Sequence, residues 1–415
     1  MFVLNEKYFC DIKGTDITHK TNKVLYLYSV YLFLVFINGF ISFPGILMSL
    51  FQYVFILIGF LQILFSRRFL VTSYFRWGGI FIMVMFFSLL YCPSVHNAIT
   101  YSILPFAIQF SIYVVLRNLM RTKKDLMYII YTYIFVGFGF SVLSILLYSG
   151  DLFSGRRFGF SFGRNPNDVM LQLIIPVCFS FWMMLKGKEV NYKYLIFITP
   201  CILVMLCTGS KKSLLIFLFP ILYMLMKRGK YKIFTVIGII ALLLMGYYAL
   251  FNVDFLYNSL GNRVEMLFNS ASGLSTNVSD SDAVREIMRN KAFSMFLDSP
   301  FFGKGAEAFR TLAGYNTYSH NNYTELLSAY GIIGFLCYYS LPFILIFRSI
   351  NYVFLKKEHA SIYIFLIAVV TIYFLVDWGC ITTCSRYNMF LFMIASYLFR
   401  LQNHAEVDIM EDAYV

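Results

Sequence analysis

Apolar runs of membrane-spanning length follow one another from Val24 almost to the C-terminus, and this succession constrains the fold more than any motif does. A bilayer core about 30 Å thick takes roughly 20 apolar residues as a helix, because only a helix or a closed barrel pairs all of its backbone polar groups in lipid. On that criterion twelve spans are expected, at about 24–41, 45–65, 75–91, 98–116, 126–148, 168–185, 194–208, 213–226, 233–251, 323–347, 361–377 and 386–400. The seventh and eighth are short and only TGSKKS separates them, so half-spans or a re-entrant element stay open there. Hydrophobic residues make up 60% of the chain and charged residues 13%, and the mean hydropathy is +0.71. A soluble domain carries about 25% charged residues, so the expected class is an all-α polytopic membrane protein. The first run lacks a small-residue cleavage pattern and reads as a retained span, not a signal peptide.

The net charge of +13 raises the question of nucleic acid, but the basic residues are spread thinly between apolar runs and form no stripe. Membrane topology accounts for them, and no nucleic-acid partner is expected. With the N-terminus in the cytoplasm, most of the 34 Lys and Arg fall in cytoplasmic loops, as the positive-inside bias requires. Both termini are then cytoplasmic. The chain divides into spans 1 to 9 over residues 1–251, with an external arginine loop at 150–167, a large external loop at 252–322, and spans 10 to 12 with a cytoplasmic tail at 323–415. Within the large loop, GLSTNVSDSDAVREIMRNKAFSMFLDSP reads as a flexible stretch followed by a helix. Asp282 is the expected N-cap, Ala283, Ile287, Phe293 and Phe296 form an apolar face for the membrane domain, and Pro300 ends the element.

Among the eight cysteines, Cys178, Cys201, Cys207 and Cys337 sit inside apolar runs, where cysteine behaves as a small hydrophobe. Cys380 and Cys384, in DWGCITTCSR, are the one close pair outside a span. A disulfide is a minor reading there, and with no His or second CxxC nearby a metal site is not expected.

Six basic residues stand in short external loops against the positive-inside bias: Arg156, Arg157 and Arg164 in SGRRFGFSFGRNPND, Lys211 and Lys212 in TGSKKS, and Arg386 in TCSRYN. Singly, each could pair with lipid head groups or with acids such as Asp151 and Asp377. As a set they suit an anionic, lipid-linked ligand such as a pyrophosphate, which guanidinium groups bind in a bidentate way. In Asn165-Pro166-Asn167-Asp168, proline fits the first turn of the next helix and Asn or Asp caps it. His320 is the one histidine among other reactive groups, in SHNNYTELLSAYGIIG. Asn322 with Glu325 three residues on reads as a capping box, so the helix is expected to start at Asn322. An imidazole at that helix mouth can take the proton of an attacking hydroxyl. The competing reading is a histidine that only makes hydrogen bonds.

Arg285, SPFFGKG at 299–305 and SHNNYTELLSAYGIIG together resemble the signature of the bacterial O-antigen polymerase and O-antigen ligase family. There an arginine, a Pro-x-x-Gly-x-Gly turn and His-Asn lie on a periplasmic loop that leads into a membrane helix. GRRFGFSFGRNPND and TGSKKSLL resemble the family's external arginine loop and its later Ser-Arg step, so the resemblance covers residues 150–345; the N-terminal third is similar only in hydropathy. The chain departs from the family in having Ser210-Lys211-Lys212 where Ser-Arg is common, and which lysine replaces the arginine is open. The resemblance implies a membrane glycosyltransferase of GT-C type, with a periplasmic site in the inner membrane and neither metal ion nor other cofactor. Its implied partners are undecaprenyl pyrophosphate-linked oligosaccharides as donor and acceptor, membrane lipid, and a chain-length regulator protein. It further implies that Arg156, Arg157, Arg164, Arg285 and Lys211 or Lys212 hold the departing pyrophosphate and that His320 deprotonates or orients the acceptor hydroxyl. Asn321 or Glu325 would hold the His320 ring, Tyr318 and Tyr323 would touch sugar, and Asn165 and Asn167 would support the arginine loop.

A repeat-unit polymerase is the leading expectation, on the resemblance of NPND and HNNYTELL. A ligase that places the glycan on lipid A-core is the alternative, and a lipid-glycan flippase is a third reading from a different class. The flippase is disfavoured because the two halves of the chain show no repeat.

Overall fold

The computed structural model describes residues 22–38, 40, 45–66, 69–160, 163–187, 189–227, 232–271, 280–356 and 361–398. Both chain ends, Arg67, Arg68 and the 272–279 stretch expected to be flexible lie outside the described residues. The described chain is helical, with no strand, and helix occupies each of the twelve apolar segments. These are α1 Lys23–Ile37, α2 Gly45–Phe65, α3 Ser73–Leu90, α4 Val95–Leu119, α5 Lys123–Leu147, α6 Pro166–Leu185, α7 Tyr192–Cys207, α8 Leu218–Met226 with a 3₁₀ lead-in Lys211–Phe217, and α9 Lys232–Asn252. After the loop helices α10 Asn262–Ala271 and α11 Asp280–Asp298 come α12 Asn322–Asn351, α13 Ser361–Asp377 and α14 at 386–398. Six helices, α2 to α6 and the α12 segment, are long and apolar enough to cross a membrane by length and composition alone; α1, α7 and α13 are shorter apolar helices. The protein is an all-α polytopic membrane protein.

The α6 helix is the axis of the bundle, with 94% of its spanning window buried, against 17% for the peripheral α2. It packs on α5, α7 and α8. The seventh and eighth segments are not half-spans. At rises of about 1.5 Å per α and 2.0 Å per 3₁₀ residue, Tyr192–Cys207 reaches about 25 Å and Lys211–Met226 about 27 Å. Both ends agree: Phe158 at one end donates to the Cys207 carbonyl, and Lys227 at the other reaches the Leu185 and Gly187 carbonyls beyond α6.

The described residues of the arginine loop, the 208–211 turn, residues 252–271, residues 280–321 and residues 378–385 collect at one end of the bundle, the loop end. There α11 starts at Asp280, so Asp282 lies within its first turn. Its buried face is Met288, Ala292 and Met295, packed on Ala308 and Phe309, whereas Ile287 and Phe293 are exposed. The expected apolar face was rotated because Met and Ala carry the packing.

Gly303 and Gly331 explain the Pro-x-x-Gly-x-Gly turn. The α12 helix breaks at Gly331, whose φ of 62° and ψ of −165° lie outside helical space. The turn docks backbone to backbone on that break: Lys304 and Gly305 donate to the Ser328 and Ala329 carbonyls at 2.8 and 2.9 Å, and Ile332 donates to the Pro300 carbonyl at 2.8 Å. A Cβ on Gly303 would lie 2.5 Å from Ala329 backbone and one on Gly331 2.3 Å from the Phe301 carbonyl oxygen, so neither position has room for a side chain. Both have positive φ, where L side chains are strained.

Candidate functional site

His320 stands just before α12, and the residues around it are fixed by three polar devices. Asn321, not Asn322, is the N-cap, accepting from the Tyr323 and Thr324 amides at 2.9 and 3.1 Å. Glu325 reaches back past the cap to the Ser319 amide at 2.8 Å. Asn322 is fully buried inside the first turn, where it accepts from the Thr382 and Thr383 amides and the Thr383 hydroxyl and donates to Tyr339 and Asp377. The capping expectation moves by one residue because Asn322 ties α12 to the 378–385 loop. His320 adopts φ 58°, a left-handed conformation that a non-glycine residue holds only where its surroundings impose it.

Neither Asn321 nor Glu325 holds the His320 ring, contrary to expectation, since both are spent on backbone. Asn321 Nδ2 donates to the Trp378 carbonyl at 3.0 Å. The imidazole meets the edge of Tyr318, 4.5 Å between centroids, and has no hydrogen-bond partner among the described residues. Burial, then Arg285 and Lys212, lower its pKa from 6.5 to about 4. At neutral pH the ring is therefore uncharged and able to accept a proton.

Neutral groups hold two cations of the loop end, Lys212 in the field at His320 and Arg157 in the field of Arg263 and Arg285. Arg157 Nε donates to the Thr208 carbonyl at 3.2 Å and its Nη2 to Asn167 Oδ1 at 3.4 Å. Lys212 Nζ donates to the Gly379 carbonyl at 2.7 Å and lies 3.2 Å from Cys380 Sγ. Neither meets a carboxylate among the described residues. Arg263 donates to the Gly209 carbonyl at 2.8 Å. Burial, together with Arg263 and Arg285, pulls the Arg157 pKa down to about 10, the mark of several guanidinium groups drawn together. Of the two lysines in Ser210-Lys211-Lys212, Lys212 contributes to the field at His320, after Arg285, and Lys211 precedes it on the 3₁₀ lead-in.

Other expected residues separate. Arg156 is exposed and its side chain joins no group here. Asn165 caps α6 by accepting from the Asn167 amide at 2.9 Å, and Pro166 fills the first turn. Tyr323 gives its hydroxyl to the Phe374 carbonyl at 2.6 Å and stacks on Tyr339, so its role is packing. Asp377 accepts from Tyr339, Asn322 and Thr382, and neither it nor Asp151 pairs with a described arginine. Cys380 and Cys384 are free thiols. Among the described residues no group of three or more His, Cys, Asp or Glu converges on a metal-sized site.

Arg164 and Arg386 line a cavity of about 500 Å³ that enters the bundle beside the cation cluster. Asp168, Glu307, Arg310, Tyr318 and Glu325 are also on its walls. Glu307 is engaged by Arg310 at 2.7 Å and by Ser102 at 2.5 Å. Tyr318 is the shared wall, touching His320 on one side and facing the cavity on the other. Sequence reading missed Arg263, hidden among loop charges that the topology count sets aside, and Gln109. A signal for Gln109 existed: Ser102 and Gln109 are seven residues apart, hence on one face of α4.

Residues 195–339 match the sequence model of the family described as O-antigen ligase. This segment, about a third of the chain, is similar to the O-antigen ligase family. The match takes in Lys212, Arg263, Arg285 and the whole stretch from the glycine turn to His320 and the first half of α12. It places the O-antigen ligase domain among membrane glycosyltransferase-like enzymes of polysaccharide biosynthesis. Arg157, Asn167 and the cavity wall from α4 lie outside the matched segment. No curated protein matches the chain.

Proposed function

We propose that the protein is a polymerase of surface-polysaccharide repeat units, moving the growing undecaprenyl pyrophosphate-linked chain onto a new lipid-linked repeat. The loop end faces the periplasm, and both termini lie in the cytoplasm. The observation that carries the proposal is an uncharged His320 in the field of Arg285 and Lys212, with Lys212 anchored by the Gly379 carbonyl and Cys380 sulfur. In the reaction, the acceptor hydroxyl oxygen bonds to the anomeric carbon as the bond from that carbon to the pyrophosphate oxygen breaks. The bonding pair leaves with the lipid pyrophosphate, and His320 takes the hydroxyl proton.

Charge grows on the leaving oxygens, and Arg157, Lys212, Arg263 and Arg285 are placed to stabilise it. Loss of one preorganised donor of this kind costs about 3 kcal/mol at the transition state. These cations take the part that a metal ion plays in many nucleotide-sugar enzymes. A bound pyrophosphate also offsets the repulsion of Arg285 and Lys212 on the imidazole, raising its pKa toward 6.5, where a base works better at neutral pH.

The description of the matched family favours a second reading, a ligase with the same donor and lipid A-core as acceptor. A deletion strain separates them. A polymerase deletion leaves surface glycan limited to one repeat. A ligase deletion leaves no attached glycan while long lipid-linked chains accumulate. Unpolymerised lipid-linked repeats held on the cytoplasmic face would instead indicate a flippase and contradict both.

A further inference from the structure

The cavity walled by Tyr318 holds two polar groups that nothing among the described residues satisfies. Gln109 is 8% exposed, and its Oε1 is buried without a hydrogen-bond partner. Arg164 Nη1 is likewise buried and unpartnered. Unpaired buried polar atoms are rare because leaving them so is costly. One of these accepts and the other donates, and a sugar hydroxyl can do either.

The walls argue against a second pyrophosphate. Three arginines, Arg164, Arg310 and Arg386, share its walls with three carboxyl groups, Asp168, Glu307 and Glu325, so the arginines there are not an unopposed cation cluster. Arg157, Lys212 and Arg285 do not line it. Tyr101, Tyr318, Tyr330 and Tyr387 supply aromatic surface, and Tyr101, 49% exposed, stands at the mouth under the Arg310 guanidinium, 4.3 Å from its ring centroid. A volume of about 500 Å³ lies within the range of small-molecule sites. Apolar ring faces with a few convergent polar groups suit a molecule whose own faces are apolar and whose rim is hydroxyl.

We propose that this cavity is a carbohydrate subsite, holding an uncharged sugar ring of the glycan substrate against Gln109, Arg164 and the tyrosines, apart from the cation cluster. The inference rests on the glycosyl-transfer reading of His320. Tyr318, which borders both spaces, sets the sugar beside the imidazole.

The test uses the full-length protein in detergent and two probes, the repeat-unit oligosaccharide released from its lipid and inorganic pyrophosphate, each titrated calorimetrically. Gln109→Leu and Tyr101→Ala are expected to weaken oligosaccharide binding about tenfold each, the loss of one hydrogen bond or one stacking surface, and to leave pyrophosphate binding unchanged. Tyr101→Ala removes an exposed ring, so it guards against misfolding of the buried variant. Lys212→Met is expected to do the reverse. Oligosaccharide binding that survives both cavity variants, or pyrophosphate binding that is lost with them, overturns the subsite. So does wild-type protein that elongates lipid-linked repeats yet does not hold the free oligosaccharide. Wild-type protein that neither elongates nor binds refutes the glycosyl-transfer reading itself.

Discussion

Asn322→Ala should disable the site without touching substrate. The Asn322 side chain accepts from the Thr382 amide at 3.1 Å, the Thr383 amide at 3.2 Å and the Thr383 hydroxyl at 2.7 Å. Its amide donates to Tyr339 at 3.0 Å and Asp377 at 3.3 Å. Alanine leaves two buried backbone N–H groups unpaired, and at about 1–3 kcal/mol for each, the penalty is about 2–6 kcal/mol. If that falls on the 378–385 loop, its open population rises between roughly thirtyfold and more than ten-thousandfold. That loop supplies the Gly379 carbonyl and Cys380 sulfur that hold Lys212, and the Trp378 carbonyl that holds Asn321. Opening it therefore removes Lys212 from His320. Hydrogen exchange at Thr382 and Thr383, read beside affinity for a polyprenyl pyrophosphate, measures both links. Exchange should accelerate and affinity fall together. Unchanged protection with full activity would refute the clamp, and faster exchange with unchanged affinity would refute its tie to Lys212.

Arg157→Ala should cost about a hundredfold in turnover, as for loss of one donor to a developing charge, whereas Arg156→Ala should leave turnover within about twofold, because Arg156 is exposed and outside the cluster; steady-state elongation assays compare them. The lowered His320 pKa keeps the ring neutral as pH falls from 7, so kcat/KM should hold until about pH 4. The acid limb of kcat should lie at higher pH because bound pyrophosphate raises that pKa, and limbs that coincide would count against it. The folded state binds this proton less readily than the unfolded one, so the stability His320 contributes is present above its ordinary 6.5 and is lost as pH falls toward 4. Gly303→Ala meets a left-handed backbone cost of about 1–2 kcal/mol plus a Cβ 2.5 Å from Ala329 backbone. A thermal unfolding scan should show lower stability and the elongation assay lower activity, while wild-type values would refute the docking role of the turn.

The helices were legible because lipid demands long apolar runs, which need no partner to be recognised. The same legibility stops where polar residues serve tertiary contacts. Asn322 reads as a cap because its spacing to Glu325 fits one, but its side chain is fully engaged across 60 residues of chain by Thr382. Ile287 and Phe293 read as a packing face on hydrophobicity, and the structure buries Met288, Ala292 and Met295 instead. The charges on the wrong side were informative as a set, yet they divide: Lys212 in the field at His320, Arg157 with Arg263 and Arg285, and Arg164 and Arg386 on the cavity wall. That division depends on how the loops fold over the bundle, which hydropathy does not encode. His320 stood out by chemistry, but its positive φ and its place against Tyr318 are features of the folded loop that spacing and hydropathy do not encode.

Reconstitution of the purified protein in liposomes with a defined undecaprenyl pyrophosphate-linked repeat unit tests the central claim most directly. The account predicts a ladder of lengthened lipid-linked chains with one undecaprenyl pyrophosphate released per bond formed, abolished by His320→Ala although the variant still binds pyrophosphate. Translocation of the lipid-linked repeat with no new glycosidic bond, or an undiminished ladder from His320→Ala, would contradict it.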